Sequence, residues 1–121
     1  MADSPNLTVM IKAVEKAARS LVRDFGEVEK LQISVKGPGD FVSRADKRSE
    51  EIIVDSLQYD RPEWGILGEE GGTRKGSDPR YRFIVDPLDG TTNFLHGLPH
   101  WCVTVALEKD GEIIAGVTFD P

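Results

Sequence analysis

The sequence predicts an α+β fold in which two helices pack on a mostly antiparallel sheet. Two segments with apolar residues at three- and four-residue steps come first, as expected of amphipathic helices. Several segments with alternating apolar and polar residues follow, and an Asp-Gly pair between two of them signals an antiparallel hairpin. With 121 residues, the chain has the length of one domain with one core.

The first helix is predicted over residues 5–25, where one face is apolar. Ser4 suits the N-cap, and Pro5 suits the first helical position, where no backbone N–H is needed. Gly26 suits the C′ position just past the helix end. The apolar face comprises Leu7, Met10, Ile11, Val14, Ala17, Ala18, Leu21, Val22 and Phe25.

The next segment is predicted to form a strand pair and then a second helix. Residues 31–35 alternate between apolar and polar side chains, which favours a half-buried strand. The Gly-Pro-Gly run at 37–39 predicts a turn, with a short returning strand at 41–42. The second helix is expected to begin between residues 43 and 46 and to end before Pro62.

The rest of the chain has the pattern of strands and turns. Residues 64–67 form a short apolar run, and the polar stretch 71–79 predicts a loop. Alternation then indicates a strand that leads into Asp86, where the proline that follows is expected to end ladder pairing. Two further alternating segments, 103–107 and 113–119, flank the Asp-Gly pair and predict the hairpin.

Composition limits the classes of protein that fit. The chain carries 21 acidic and 15 basic residues, a formal net charge of −6, which opposes long-range attraction to nucleic acid. No apolar run reaches the ~20 residues of a membrane span, and the polar, acidic start does not fit a secretory signal. A lone Cys102 cannot form an internal disulfide. We therefore expect a cytoplasmic protein that contacts neither a membrane nor nucleic acid.

Chemistry is most strongly indicated by residues 84–94, Ile-Val-Asp-Pro-Leu-Asp-Gly-Thr-Thr-Asn-Phe. A strand delivers Asp86 at its end, Asp89 follows, and Gly90 precedes a segment able to open a helix. Two close carboxylates repel each other unless a cation lies between them, and Mg²⁺ prefers oxygen ligands. The spacing alone leaves a structural turn and an aspartyl-phosphate nucleophile open, whereas it does not fit a calcium loop.

A second acidic cluster, Gly68-Glu69-Glu70, follows the short apolar strand at 64–67. Standing alone, this cluster would be interpreted as a solvated turn. Because only one loop separates it from the strand into Asp86, the two strand ends are expected to be neighbours. Glu69 would then supply a third carboxylate and permit a second metal ion, an arrangement that suits phosphoryl transfer.

Together, Gly68-Glu69-Glu70 and residues 86–94 resemble the two N-terminal signatures of the inositol monophosphatase family. Lys36 and the run Asp-Phe-Val-Ser-Arg-Ala-Asp at 40–46 resemble an earlier segment of that family, and 94–101 is similar to bacterial members. The resemblance implies that residues 1–121 form the metal-binding α+β half, the N-terminal half, of a layered αβαβα sugar-phosphatase fold. The second half, which supplies a further Asp, is expected to be absent from this chain.

The resemblance also implies a set of metal ligands. Glu69, Asp86 and the Leu88 carbonyl would bind a first Mg²⁺. Asp86 and Asp89 would bind a second, and Glu69 would hold a third ion through water. Asp89 would also face the substrate phosphate.

The remaining implied roles concern the attacking water and the phosphate. Thr91, hydrogen-bonded to Asp46, would orient and deprotonate the water that attacks phosphorus. The backbone N–H groups of Gly90 and Thr91 would receive the phosphate. Glu70 would support the metal ligands from behind, and Lys36 would contribute positive charge nearby.

The implied function is Mg²⁺-dependent hydrolysis of inositol monophosphate, a small phosphorylated polyol, with lithium sensitivity and a homodimer at full length. Residues 92–94, Thr-Asn-Phe, favour inositol monophosphatases over nucleotide 3′-phosphatases of the superfamily. Phosphatases of the fructose-1,6-bisphosphatase type, or acting on other sugar phosphates, remain alternatives. A non-catalytic accessory role in the transcription machinery is an alternative of another class. The 121 residues alone are expected to be poorly active.

Other reactive or aromatic side chains are predicted to be structural. His96 and His100 are expected to be hydrogen-bonded residues rather than ligands or proton donors. Cys102 is expected to be an inert buried thiol within a strand. Trp64 and Trp101 are expected to be core or interface aromatics.

Overall fold

The computed structural model describes residues 4–27, 38–71, 73–96 and 98–120. In these ranges the order of elements is helix, helix, strand, strand, short helix, strand, strand, which is an α+β fold as predicted. The elements are α1 (Ser4–Phe25), α2 (Pro38–Asp60), β1 (Trp64–Leu67), β2 (Asp78–Asp89), α3 (Thr91–Leu95), β3 (Cys102–Lys109) and β4 (Glu112–Phe119). No helix among the described residues has the length and hydropathy that a membrane span needs.

The four strands form one mixed sheet in the order β1-β2-β3-β4. β1 pairs with β2 in parallel, whereas β2 with β3 and β3 with β4 are antiparallel. The predicted hairpin between β3 and β4 is confirmed, and Asp110 and Gly111 both take the positive φ that such a turn requires. The mostly antiparallel sheet is therefore confirmed, with the parallel β1–β2 pair as its exception.

The first helix has the predicted extent, but its end differs from the prediction. Gly26 follows Phe25 and donates its backbone N–H to the Val22 carbonyl. Its φ is not among the positive values of the described residues, so α1 ends without a left-handed glycine. An ordinary turn completes the helix instead.

The second helix begins earlier than predicted. α2 starts at Pro38, so residues 41–42, predicted as a returning strand, are helical, and residues 38–39 of the predicted turn open the helix. Proline suits the first turn of a helix because its missing N–H would have no intrahelical partner there. Val42 and Ala45 are buried and extend the apolar face of the helix toward its N-terminus. The predicted strand at 31–35 lies outside the described residues.

The strand β2 contains an irregularity at the predicted proline. Pairing with β3 runs up to Asp86, opposite Thr104, and resumes at Asp89, opposite Cys102. Three steps along β2 therefore match two steps along β3, so one extra residue is inserted as a β-bulge. The prediction that Pro87 ends the pairing was wrong: it interrupts the ladder, and the strand continues.

Both long helices pack on the same face of the sheet. α1 contacts α2, β3 and β4, while α2 contacts β2. An ion pair joins the helices, because Arg48 on α2 lies 2.8 Å from the buried carboxylate of Asp24 on α1. The core between these layers includes Met10, Val14, Leu21, Ile53, Leu57, Ile66, Phe83, Val85, Val103, Val105 and Leu107.

An aromatic cluster fixes the short helix α3 to this core. Phe94 is fully buried, with its ring centroid 5.5 Å from that of Phe25 on α1 and 5.2 Å from that of Trp101. Trp64 stacks on Tyr81 at a centroid distance of 4.1 Å. The prediction that both tryptophans are structural aromatics is confirmed.

We predict that Phe94→Ala destabilises the protein by about 3–5 kcal/mol, because it leaves a cavity between α1, α3 and β3. Urea denaturation of the purified protein that carries this chain measures the change. Tyr59→Ala is the matched control, since Tyr59 is 85% exposed on α2. Equal losses in the two variants would contradict this description of the core.

Candidate active site

The end of β2 brings two carboxylates to one side of the sheet. In a regular strand, residues three apart face opposite sides, so Asp86 and Asp89 would diverge. The bulge changes this parity: their partners on β3 are Thr104 and Cys102, which are two apart and share a face. Pro87 and Leu88 are both buried at the bulge, and the Leu88 backbone N–H donates to the Asp86 carboxylate.

Gly90 makes the turn from β2 into α3. Its φ of 88° is left-handed, a conformation that side chains with a Cβ rarely adopt. A Cβ at this position would also lie 2.8 Å from the His100 carbonyl oxygen and 3.2 Å from Cα of Trp101. A glycine is therefore required for the backbone to turn this sharply beside the two carboxylates.

The acidic cluster after β1 lies beside the end of β2, as the sequence predicted. Parallel pairing places Leu67 opposite Ile84, so the chain leaves β1 toward Asp86. The pKa of Glu69 is raised by burial first and then by the charge of Asp86. The pKa of Asp86 is raised by burial and by the charge of Asp89. The carboxylates of Glu69, Asp86 and Asp89 are therefore close enough to repel one another electrostatically.

Asp46 enters the same group from α2. It is 8% exposed, and its Oδ1 is buried without a hydrogen-bond partner. Burial raises the pKa of Asp46 to about 7, with smaller contributions from the charge of Glu70, a hydrogen bond to its side chain, and the charges of Glu69 and Asp86. A bound cation would relieve this repulsion, so the donor set is one that suits a hard metal ion.

The expected metal ligands include few side chains for each ion. No three His, Cys, Asp or Glu side chains in the described ranges form a group that could hold a metal alone. The expected set makes no such demand, because it gives one ion Glu69, Asp86 and the Leu88 carbonyl, and another only Asp86 and Asp89. Mg²⁺ commonly completes its shell with water and substrate phosphate.

The structure does not bring together every predicted residue. Thr91 is the exposed first residue of α3, whereas Oδ1 of Asp46 has no hydrogen-bond partner and the Asp46 side chain bonds to Glu70 instead. Lys36 lies outside the described residues. Glu70 is held behind Glu69, where its backbone N–H donates to a carboxylate on α2.

An open cleft of about 360 Å³ borders Asp89. Cys102 is half-buried rather than buried as predicted, and its Sγ lies 3.8 Å from Oδ2 of Asp89. Burial raises the pKa of the Cys102 thiol, with a smaller contribution from Asp89, so the thiol is held in its unreactive form. The cleft is lined by Asp89, Gly90, Asn93, His100, Trp101, Cys102 and Asp120.

Two residues of the site were missed by sequence reasoning. Ser49 donates its hydroxyl to the Pro87 carbonyl at 2.7 Å, and Glu50 accepts hydrogen bonds from the backbone N–H groups of Glu69 and Glu70. A signal was present, because Ser49 and Glu50 lie three and four residues after Asp46. That spacing puts them on the same helix face.

Comparison with known proteins places these features in a family. The sequence profile of the inositol monophosphatase family matches residues 3–121. The chain is 59% identical over 121 residues to Inositol-1-monophosphatase of Rhizobium meliloti, covering 100% of the chain and 46% of that relative. It is 40% identical over 117 residues to Nus factor SuhB of Vibrio cholerae, covering 97% of the chain and 44% of that relative.

A solved structure gives the same result for the fold. Extragenic suppressor protein suhB from Bartonella henselae superposes with a TM-score of 0.85 at 55% sequence identity, covering 98% of this chain and 46% of that one. The chain therefore spans less than half the length of the relatives it matches.

We predict that, in EDTA, the protein is less stable at about pH 8 than at about pH 5. The raised pKa of Asp46 means that the folded state holds a proton from about pH 4 to about pH 7 that the unfolded state has released. This contribution to the free energy of unfolding is present below pH 4 and is lost as pH rises through 7.

The measurement is the melting temperature of wild type and Asp46→Asn at both pH values. The difference in melting temperature between the two pH values should be smaller in the variant than in the wild type by a few degrees. Asp55→Asn, an exposed site on the same helix, should keep it. Identical pH dependence in wild type and Asp46→Asn would contradict the prediction.

Proposed function

Since this chain belongs to the inositol monophosphatase family, we propose that the protein carrying it hydrolyses inositol monophosphate in a Mg²⁺-dependent reaction. The observation that carries the proposal is the meeting of the β1 and β2 ends, where burial and then the charge of Asp86 raise the pKa of Glu69. The relative named Inositol-1-monophosphatase supports the substrate class. Fructose 1,6-bisphosphate and other sugar phosphates are alternative outcomes of the same substrate test.

Four groups would hold the metal. Glu69, Asp86 and the Leu88 carbonyl would bind one Mg²⁺, and Asp86 with Asp89 a second. Glu69 would reach a third ion through water. When bound, Mg²⁺ lowers the pKa of water and neutralises phosphate charge.

The remaining residues would position the reactants. Asp46 would hydrogen-bond to Thr91, which would orient and deprotonate the attacking water. Thr91 would have to turn toward Asp46 to form the expected hydrogen bond. The backbone N–H groups of Gly90 and Thr91 would hold the phosphate, with Glu70 and Lys36 as supporting charges.

The chain would act as the N-terminal half of a larger enzyme. The relatives are more than twice its length, and Ile113 on the outer strand β4 is 58% exposed. We propose that the remainder of the protein covers this region and supplies a further Asp to the second metal. A homodimer, lithium sensitivity and a cytoplasmic location belong to the same proposal.

We predict that Asp89→Asn in the whole protein lowers Mg²⁺-dependent phosphate release from inositol 1-phosphate at least ~100-fold, because a metal ligand loses its charge. A phosphate-release assay across a Mg²⁺ titration measures it. Asp110→Asn makes the same change at the β3–β4 turn and should be neutral. If the wild type releases no phosphate from inositol monophosphate, from other sugar monophosphates or from fructose 1,6-bisphosphate, the enzymatic proposal is wrong.

A second candidate function is an accessory role in transcription, favoured by the relative named Nus factor SuhB. Such a role needs a binding surface rather than metal chemistry. We predict that Asp89→Asn, inactive as a phosphatase, still copurifies with transcription proteins if this function holds. Wild type that hydrolyses the substrate and binds no transcription protein would exclude it.

A further inference from the structure

The most completely buried carboxylate at the site is one that the expected mechanism does not use. Glu50 on α2 is 2% exposed, and its carboxylate faces the turn after β1. Its Oε1 accepts the backbone N–H of Glu69 at 2.5 Å and that of Glu70 at 3.0 Å. Its Oε2 accepts the Glu70 N–H at 2.9 Å. Bonds to a charged acceptor are the strong ones, so this contact fixes the backbone of both residues.

The residue before the turn is shaped to this contact. A Cβ at Gly68 would lie 2.6 Å from Oε1 and 2.9 Å from Cδ of Glu50. Side-chain ends often move aside, but this carboxylate is buried and held by two backbone N–H groups. Gly68 is thus the residue that lets the β1 end approach α2 closely enough for the contact to form.

The neighbouring residue on α2 makes the equivalent contact to β2. Ser49 is fully buried and donates its hydroxyl to the Pro87 carbonyl at 2.7 Å. Pro87 lies in the bulge, where the β2–β3 pairing is interrupted between Asp86 and Asp89. The hydroxyl therefore holds the peptide that precedes the Leu88 carbonyl.

We propose that Ser49 and Glu50 are a pair of positioning residues that set the separation between Glu69 and Asp86, and with it the affinity of the site for Mg²⁺. The proposal rests on the proposed function for the identity of the metal ligands. Adjacent residues of one helix hold the ends of two strands, so the helix ties the position of the Glu69 turn to that of the Asp86 segment. Metal affinity depends on such outer contacts, because Mg²⁺ tolerates little departure from its preferred geometry.

The test compares wild type, Glu50→Ala, Glu50→Gln, Ser49→Ala and Gly68→Ala in the whole protein. Calorimetry measures the Mg²⁺ dissociation constant, and hydrogen exchange measures protection of the Glu69 and Glu70 amides. We expect Glu50→Ala and Gly68→Ala to weaken Mg²⁺ binding by ~10–100-fold and to speed exchange at both amides. Glu50→Gln keeps one acceptor oxygen and should recover part of the affinity.

The control is Glu51→Ala, an exposed neighbour on the same helix. It removes the same charge and should change neither Mg²⁺ affinity nor amide exchange. The melting temperature in EDTA identifies variants that fail to fold. If Glu50→Ala is among them, Glu50→Gln and Gly68→Ala carry the test.

Activity provides a second readout that a general loss of structure would not reproduce. A positioning defect should raise the Mg²⁺ concentration for half-maximal activity while kcat at saturating Mg²⁺ stays within a few-fold of wild type. Gly68→Ala and Glu50→Ala disrupt the same contact. The Mg²⁺ dissociation constant of the double variant should therefore not exceed the larger of the two single-variant values.

The contrary results distinguish a failure of the positioning role from a failure of the proposed function. Unchanged Mg²⁺ affinity in folded Glu50→Ala, or equal losses in Glu51→Ala, would overturn the positioning role. A uniform loss of kcat without a shift in Mg²⁺ dependence would also overturn it. If the wild type binds Mg²⁺ and the variants weaken that binding as expected, but the wild type releases no phosphate, the proposed function fails and the positioning role stands. Wild type that binds no Mg²⁺ overturns both.

Discussion

The parallel pairing of β1 with β2 is the constraint on which the rest of the site depends. Every other pairing in the described sheet is antiparallel and would send neighbouring strand ends in opposite directions. The parallel pair instead ends at one edge, so the Glu69 turn and the Asp86 segment meet there. Burial and mutual repulsion then make this edge unfavourable for negative charge unless protons or cations are bound.

The second helix connects this edge to the core. Its apolar side packs against α1 and the sheet, and one face near its middle carries Asp46, Ser49 and Glu50. Buried polar groups persist in proteins when they are satisfied, and Ser49 and Glu50 both are. Among these three side chains, only Asp46 keeps a buried oxygen without a hydrogen-bond partner, which suits a residue whose expected role is in the reaction.

Sequence patterns predicted the parts of the molecule that local chemistry determines. The period of α1, the Asp-Gly hairpin and the carboxylates at strand ends all follow from neighbouring residues. The predicted start of α2 was wrong because Pro38, which lies between two glycines, is typical of a turn. The earlier start at Pro38 is explained by the packing of Val42 against the core, which local sequence does not show. Glu50 was missed because its partners are backbone N–H groups 19 and 20 residues away.

The bulge in β2 has a consequence for how this segment tolerates changes in length. Loops usually accept insertions and deletions, whereas here the count of residues between Asp86 and Asp89 decides which side of the sheet each carboxylate occupies. Removing one residue would restore a regular ladder and turn one carboxylate away from the other. The segment can therefore be expected to tolerate exchange of the buried Leu88 side chain for another apolar one of similar size far better than any change in the number of residues.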